Sequence, residues 1–164
     1  MKRFFAFVIL FIFVCLPIYA ENKTLSAGVS IEEIPKAFFG CWIVRAKLDD
    51  TNNYKIFKPQ SIDTWTLCRV GDKITLNNSF TGATADISIK AVEGNLMVFS
   101  KKAAYDNKTF IDTVSIRLEE GKFSGINTLT IETNSLIDNH LMKTEFARYK
   151  IYGEKIAGES VIEE

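Results

Sequence analysis

Apolar residues in this chain recur again and again with a period of two, and nowhere with a helical period longer than two turns. From Cys41 the residues alternate, with Trp42, Val44, Ala46 and Leu48 on one face and Cys41, Ile43, Arg45 and Lys47 on the other. That pattern is a strand with one face buried. Similar segments follow at 61–70, 74–78, 85–92, 96–101, 109–118, 122–133, 142–152 and 155–162, separated by turns that mostly centre on glycine. Consecutive hairpins of this kind predict an all-β fold, an antiparallel up-and-down barrel of about eight to nine strands, because closure removes both sheet edges. A two-sheet sandwich is the alternative.

The N-terminus follows different rules. Lys2 and Arg3 precede an unbroken apolar run over residues 4–16, and Pro17-Ile18-Tyr19-Ala20 ends on a small residue. Residues 1–20 therefore read as a secretory signal peptide cleaved after Ala20, and the protein as exported, periplasmic or extracellular. The run is short of the roughly 20 apolar residues of a transmembrane helix, so no stable membrane span is expected after cleavage. Residues 21–33 are a polar lead-in, and residues 34–164 are the single barrel domain. Within the lead-in, Ser30 with Glu33 three residues later has the capping-box pattern, and Pro35 limits the helical turn that starts there. The cleaved chain carries 18 basic and 20 acidic residues, a balance that argues against a nucleic-acid partner. A monomer is expected.

A hairpin between 41–48 and 61–70 has a register that satisfies the alternation, with facing residues summing to 109. Trp42 then faces Leu67, Val44 faces Trp65, and Cys41 faces Cys68 on the outer side. In an oxidising compartment the last pair predicts a disulfide. The turn between 93 and 96 leaves two registers open for the fifth strand. Gly153-Glu154 is expected to be the last turn, and Asp49-Asp50-Thr51-Asn52-Asn53 a loop of turn formers.

Catalytic chemistry finds little purchase. His140 is the only histidine and sits beside a polar loop, with no nucleophile placed next to it by pattern, so no catalytic residue, cofactor or metal is expected. An eight-strand barrel either fills itself or holds one small ligand. On that ground Trp42, Val44, Trp65, Leu67 and Leu76 are the ligand-lining candidates for a small hydrophobic molecule, with plain core packing as the other reading of the tryptophans. The alternative partner is a secreted protein.

Gly40-Cys41-Trp42, preceded by a short turn and followed by a meander, resembles the start of the lipocalin and wider calycin barrels. The resemblance implies that Trp42 plugs the closed end and packs against a basic residue from near the last strands, with Arg148 the candidate and Arg69 a second. It also implies a non-enzymatic binding protein. The chain has no second motif of the Thr-Asp-Tyr type and no helical pattern after the last strand, which leaves a shorter calycin-like barrel. Small secreted inhibitors of metalloproteases look similar as well. There, residues 21–29 would correspond to the arm that enters the protease.

Overall fold

The computed structural model describes residues 31–78, 83–158 and 161–162. Its strands are β1 (Gly40–Thr51), β2 (Gln60–Val70), β3 (Lys73–Asn78), β4 (Ala83–Glu93), β5 (Leu96–Tyr105), β6 (Lys108–Glu119), β7 (Lys122–Asn134), β8 (Leu141–Ala157) and the two-residue β9 (Val161–Ile162). Each of the first eight pairs antiparallel with its sequence neighbour, and β1 pairs with both β2 and β8. The result is a closed eight-strand antiparallel barrel. β9 adds to it only as a parallel strip along Arg69 and Val70, just past the point where β1 begins with Gly40 opposite Leu67. Among the described residues no helix is long and apolar enough to cross a membrane.

The alternation read from the sequence sets which side chains point inward. Trp42 and Val44 on β1, Leu67 on β2, Met97 and Phe99 on β5, Val114 and Ile116 on β6 and Phe123 on β7 are all buried. The ambiguous fifth strand resolves with Met97 and Phe99 inside, because a two-residue turn pairs Glu93 with Leu96. One end of the barrel is closed from outside its strands. Two short 3-10 turns, Ile31–Glu33 and Lys36–Phe38, lay Ile34, Phe38 and Phe39 across it, all buried. The Trp42 indole donates from Nε1 to the Phe38 carbonyl at 3.1 Å, and its ring lies 5.0 Å from that of Phe123. Gly40 enters β1 with φ of 125°, and a Cβ there would come within 2.3 Å of the Gly158 carbonyl oxygen. Only glycine meets both conditions.

Four expectations need correction. The β1–β2 register sums to 107, so Trp42 faces Trp65, Val44 faces Asp63 and Cys41 faces Thr66. A shift of two residues keeps every side chain on its face, so the hydrophobic alternation fits both registers equally. The disulfide was tied to the other register and does not form: Cys41 and Cys68 are free, with Cys41 Sγ 3.1 Å from Thr66 Oγ1 and Cys68 opposite Thr75. Gly153 is not a turn either. β8 runs straight through it for 17 residues, so the expected ninth hairpin strand is absent. The turn formers from Asp49 do not end β1, which continues to Thr51 through an irregularity between Leu48 and Asp50. The signal-peptide segment and residues 21–30 lie outside the described residues.

Gly153 has a different reason to be there. It faces Val44 on one side and Phe123 on the other, and a Cβ would fall 2.2 Å from the Phe123 ring. That ring is 1% exposed and already packed against Trp42, so it has no room to retreat. Gly153→Ala is therefore expected to destabilise the barrel by about 1–3 kcal/mol through overpacking, read as a lower midpoint in urea unfolding.

Candidate ligand-binding cavity

Among the described residues the barrel interior is filled at one end, and toward the other it leaves a cavity. At the filled end, Trp42, Leu67 and Leu76 belong to one continuous apolar cluster with Phe38, Phe99 and Phe123. These three lining candidates are buried in that cluster and do not border the cavity described next, whereas Val44 and Ile151 of the same cluster do. The cation that packs on Trp42 is Lys155, with Nζ 5.0 Å from the ring centroid and 2.9 Å from the Ala37 carbonyl that accepts its hydrogen bond. Arg148 does not reach Trp42; both its Nε and Nη2 lie 2.9 Å from Asp49 Oδ2. Arg69 is engaged with Glu32 and the Gly71 carbonyl. The reason lies in strand phase. Ala147, Tyr149 and Ile151 point inward, which turns Arg148 outward, and continuing the strand past Gly153 brings Lys155 opposite Trp42.

Toward the other end lies a cavity of about 300 Å³ between β1, β2, β7 and β8. Val44 and Trp65, the remaining two candidates, line it. Leu129, Ile151 and Phe57 add apolar wall, while Asp63, Asn127 and Tyr149 bring polar groups. Trp65 is held in place by stacking on Phe123 at 6.0 Å and by an edge contact with Phe99 at 6.4 Å. The loop 52–59 contributes Phe57, which is buried, and its Lys58 carbonyl accepts a hydrogen bond from the Tyr149 hydroxyl at 3.1 Å. Burial pushes the Tyr149 phenol above its ordinary pKa.

The loop is fastened to β8 by its own asparagines. Asn52 donates from Nδ2 to the Thr144 carbonyl at 3.0 Å and accepts from the Phe146 amide at 2.8 Å. Thr51 Oγ1 donates to the Phe146 carbonyl at 2.6 Å. Asn53 Nδ2 donates to Glu145 Oε1 at 2.5 Å. The side chains that look like generic turn formers in the sequence are thus the ties that set this wall of the cavity.

Three carboxylates occupy inward-phase positions at this end, and they are not equivalent. Asp112 Oδ2 lies 3.1 Å from Lys101 Nζ, and Asp112 Oδ1 accepts a hydrogen bond from Asn127. Glu145 is paired with Lys143. Asp63 accepts a hydrogen bond from Asn78 Nδ2 at 3.2 Å. Among the described residues it pairs with no lysine or arginine. His140, by contrast, is in an exposed loop with Nδ1 2.6 Å from Asp138 Oδ1.

Family models, curated proteins and solved structures yield no match to this chain.

Phe57, Asp63, Asn127, Leu129 and Tyr149 are lining residues that sequence reasoning did not select. The phase of β2, β7 and β8 carried the signal for four of them, since Asp63 alternates with Trp65, Asn127 with Leu129, and Tyr149 with Ile151. Phe57 lies in a loop, where no periodicity exists to read.

Glu145 gives a test of this end. It is 8% exposed, yet hydrogen bonds from Lys143 first and Asn53 second outweigh burial and hold its carboxyl below the ordinary value of 4.5. A carboxyl depressed on folding contributes stability above its unfolded pKa, and this is lost as pH falls through the folded value. Glu145→Gln should therefore lower the melting temperature near neutral pH. The gap to the parent protein should close in acid below the folded pKa, as measured by thermal unfolding across a pH series.

Proposed function

We propose that this protein is an exported, non-enzymatic binding protein of calycin-like type, acting as a monomer and holding one small, largely apolar molecule in the hollow end of its barrel. The observation that carries this reading is the uneven filling of the interior. One end is packed and capped, while the other keeps about 300 Å³ walled by Trp65, Leu129, Ile151 and Phe57. That volume lies at the lower end of small-molecule sites, which run from about 300 to 1,000 Å³. Gly40-Cys41-Trp42 at the start of β1, with a lysine over the Trp42 ring, supports the calycin resemblance. Residues 1–20 support export. His140, the one histidine of the sequence, is paired with Asp138 in an exposed loop and is not among the residues that line the cavity.

A neutral apolar fluorophore, N-phenyl-1-naphthylamine, tests the reading. One equivalent is expected to bind with quenching of tryptophan emission, and Trp65→Phe should remove most of that quenching while Trp42 remains. Ala46 lines the cavity, so Ala46→Leu should fill part of it and weaken binding at least about tenfold, a loss of about 1.4 kcal/mol. Binding that ignores Ala46→Leu, or no saturable binding, removes the reading.

A second reading, a protein-interaction module such as a barrel-type protease inhibitor, is favoured by one observation. Large apolar side chains stand exposed on the loops of the hollow end, including Tyr54 in loop 52–59 and Leu136 and Ile137 in loop 135–140, the last 97% exposed.

A further inference from the structure

We infer that the ligand is a small organic amine, bound as its ammonium ion with the charge against Asp63 and the apolar body on Trp65 and Tyr149. The inference rests on the cavity reading above and narrows it. Among the described residues Asp63 is the only acidic one of the lining, and it stands two residues from Trp65 on the same inward face of β2. The two other carboxylates in inward phase at this end have found internal cations, Lys101 for Asp112 and Lys143 for Glu145. Asp63 has instead an uncharged amide, Asn78, on Oδ1. A carboxylate partly withdrawn from water is costly to hold unless a positive charge compensates it. Here the compensating charge is left to come from outside.

The neighbouring basic groups do not fill that place. Among the described residues Lys58 is the only basic one of the lining, and it is exposed on the loop; its backbone carbonyl holds the Tyr149 hydroxyl. Lys101 is spoken for by Asp112. The walls also suit a cation. Trp65, Tyr149 and Phe57 present three aromatic side chains around the space, and an ammonium is attracted to aromatic faces as well as to the carboxylate. A neutral apolar ligand would use the same walls but would leave Asp63 desolvated with no gain. An anion would meet the one uncompensated negative charge of the site.

Two compounds of nearly equal shape separate these cases. 2-Phenylethylamine is cationic at neutral pH, and 2-phenylethanol is not. Titration of the exported chain, followed by tryptophan emission or calorimetry, is expected to give at least tenfold tighter binding of the amine. Asp63→Asn keeps an oxygen for the Asn78 hydrogen bond, and it should bring the amine-to-alcohol ratio close to one. Circular dichroism and thermal unfolding would establish that the variant is folded. A ratio near one in the parent protein, or a preference for the amine that survives Asp63→Asn, overturns the inference while leaving the cavity reading intact. Binding of N-phenyl-1-naphthylamine alone, with neither phenylethyl compound bound, also overturns it. Failure of all three compounds overturns the inference and the cavity reading together.

Discussion

The packing of Trp42 against Phe123 ties the first strand to β7 across β8 inside the barrel. Trp42 enters from β1 and Phe123 from β7, and β8 between them presents Gly153 where any side chain would force them apart. The indole nitrogen is then satisfied by the Phe38 carbonyl, which fixes the cap of 3-10 turns over the barrel end. Lys155 lies over the indole and bonds to Ala37 of the same cap. One aromatic side chain thus coordinates the first strand, the last long strand and the plug. Trp65 extends the cluster by stacking on Phe123 as well, so the floor of the cavity is built on the same ring.

Above that floor the interior changes character. The inward positions near the plug are Leu, Ile, Met, Phe and Val, whereas those toward the other end include Asp63, Asn78, Lys101, Asp112, Asn127 and Glu145. Side chains that pair through hydrogen bonds cannot collapse onto one another as aliphatic groups do, since each must keep its partner at a set distance and angle. The polar half therefore holds its walls apart. The loop 52–59, tied down by Asn52 and Asn53, shapes the space without filling it.

Much of this was legible in the sequence, and what was not has a common cause. The period of two along β1, β2, β6, β7 and β8 assigns inward and outward faces, and with the short turns it yields the closed meander. That same period is blind to a shift of two residues, which is why it could not distinguish Cys41 opposite Cys68 from Cys41 opposite Thr66. The twelve residues from Leu48 to Pro59 are too many for turn geometry to decide the matter, and even the short turn after Glu93 left two registers open for β5 until the pairing of Glu93 with Leu96 fixed one. Reading Gly153 as a turn hid Lys155, because the phase count stopped there. A glycine in a strand has two meanings, a bend or a close neighbour, and only the position of Phe123 tells which applies. The cavity was misplaced toward Trp42 for a related reason: alternation says that a residue points inward, but not whether the space it points into is already taken.

Closure through β1 and β8 also shapes how such a chain must fold. Arg45 and Glu154, joined across that seam, are 109 residues apart in sequence. Each hairpin can form locally, but the seam waits until the whole meander exists, and loop-closure entropy opposes it throughout. Until then any partly assembled sheet carries two unpaired edges, β1 and the newest strand, each able to pair with another chain. Folding speed in this molecule is therefore governed by its ends finding one another, and the interval before they meet is when it is most exposed to aggregation.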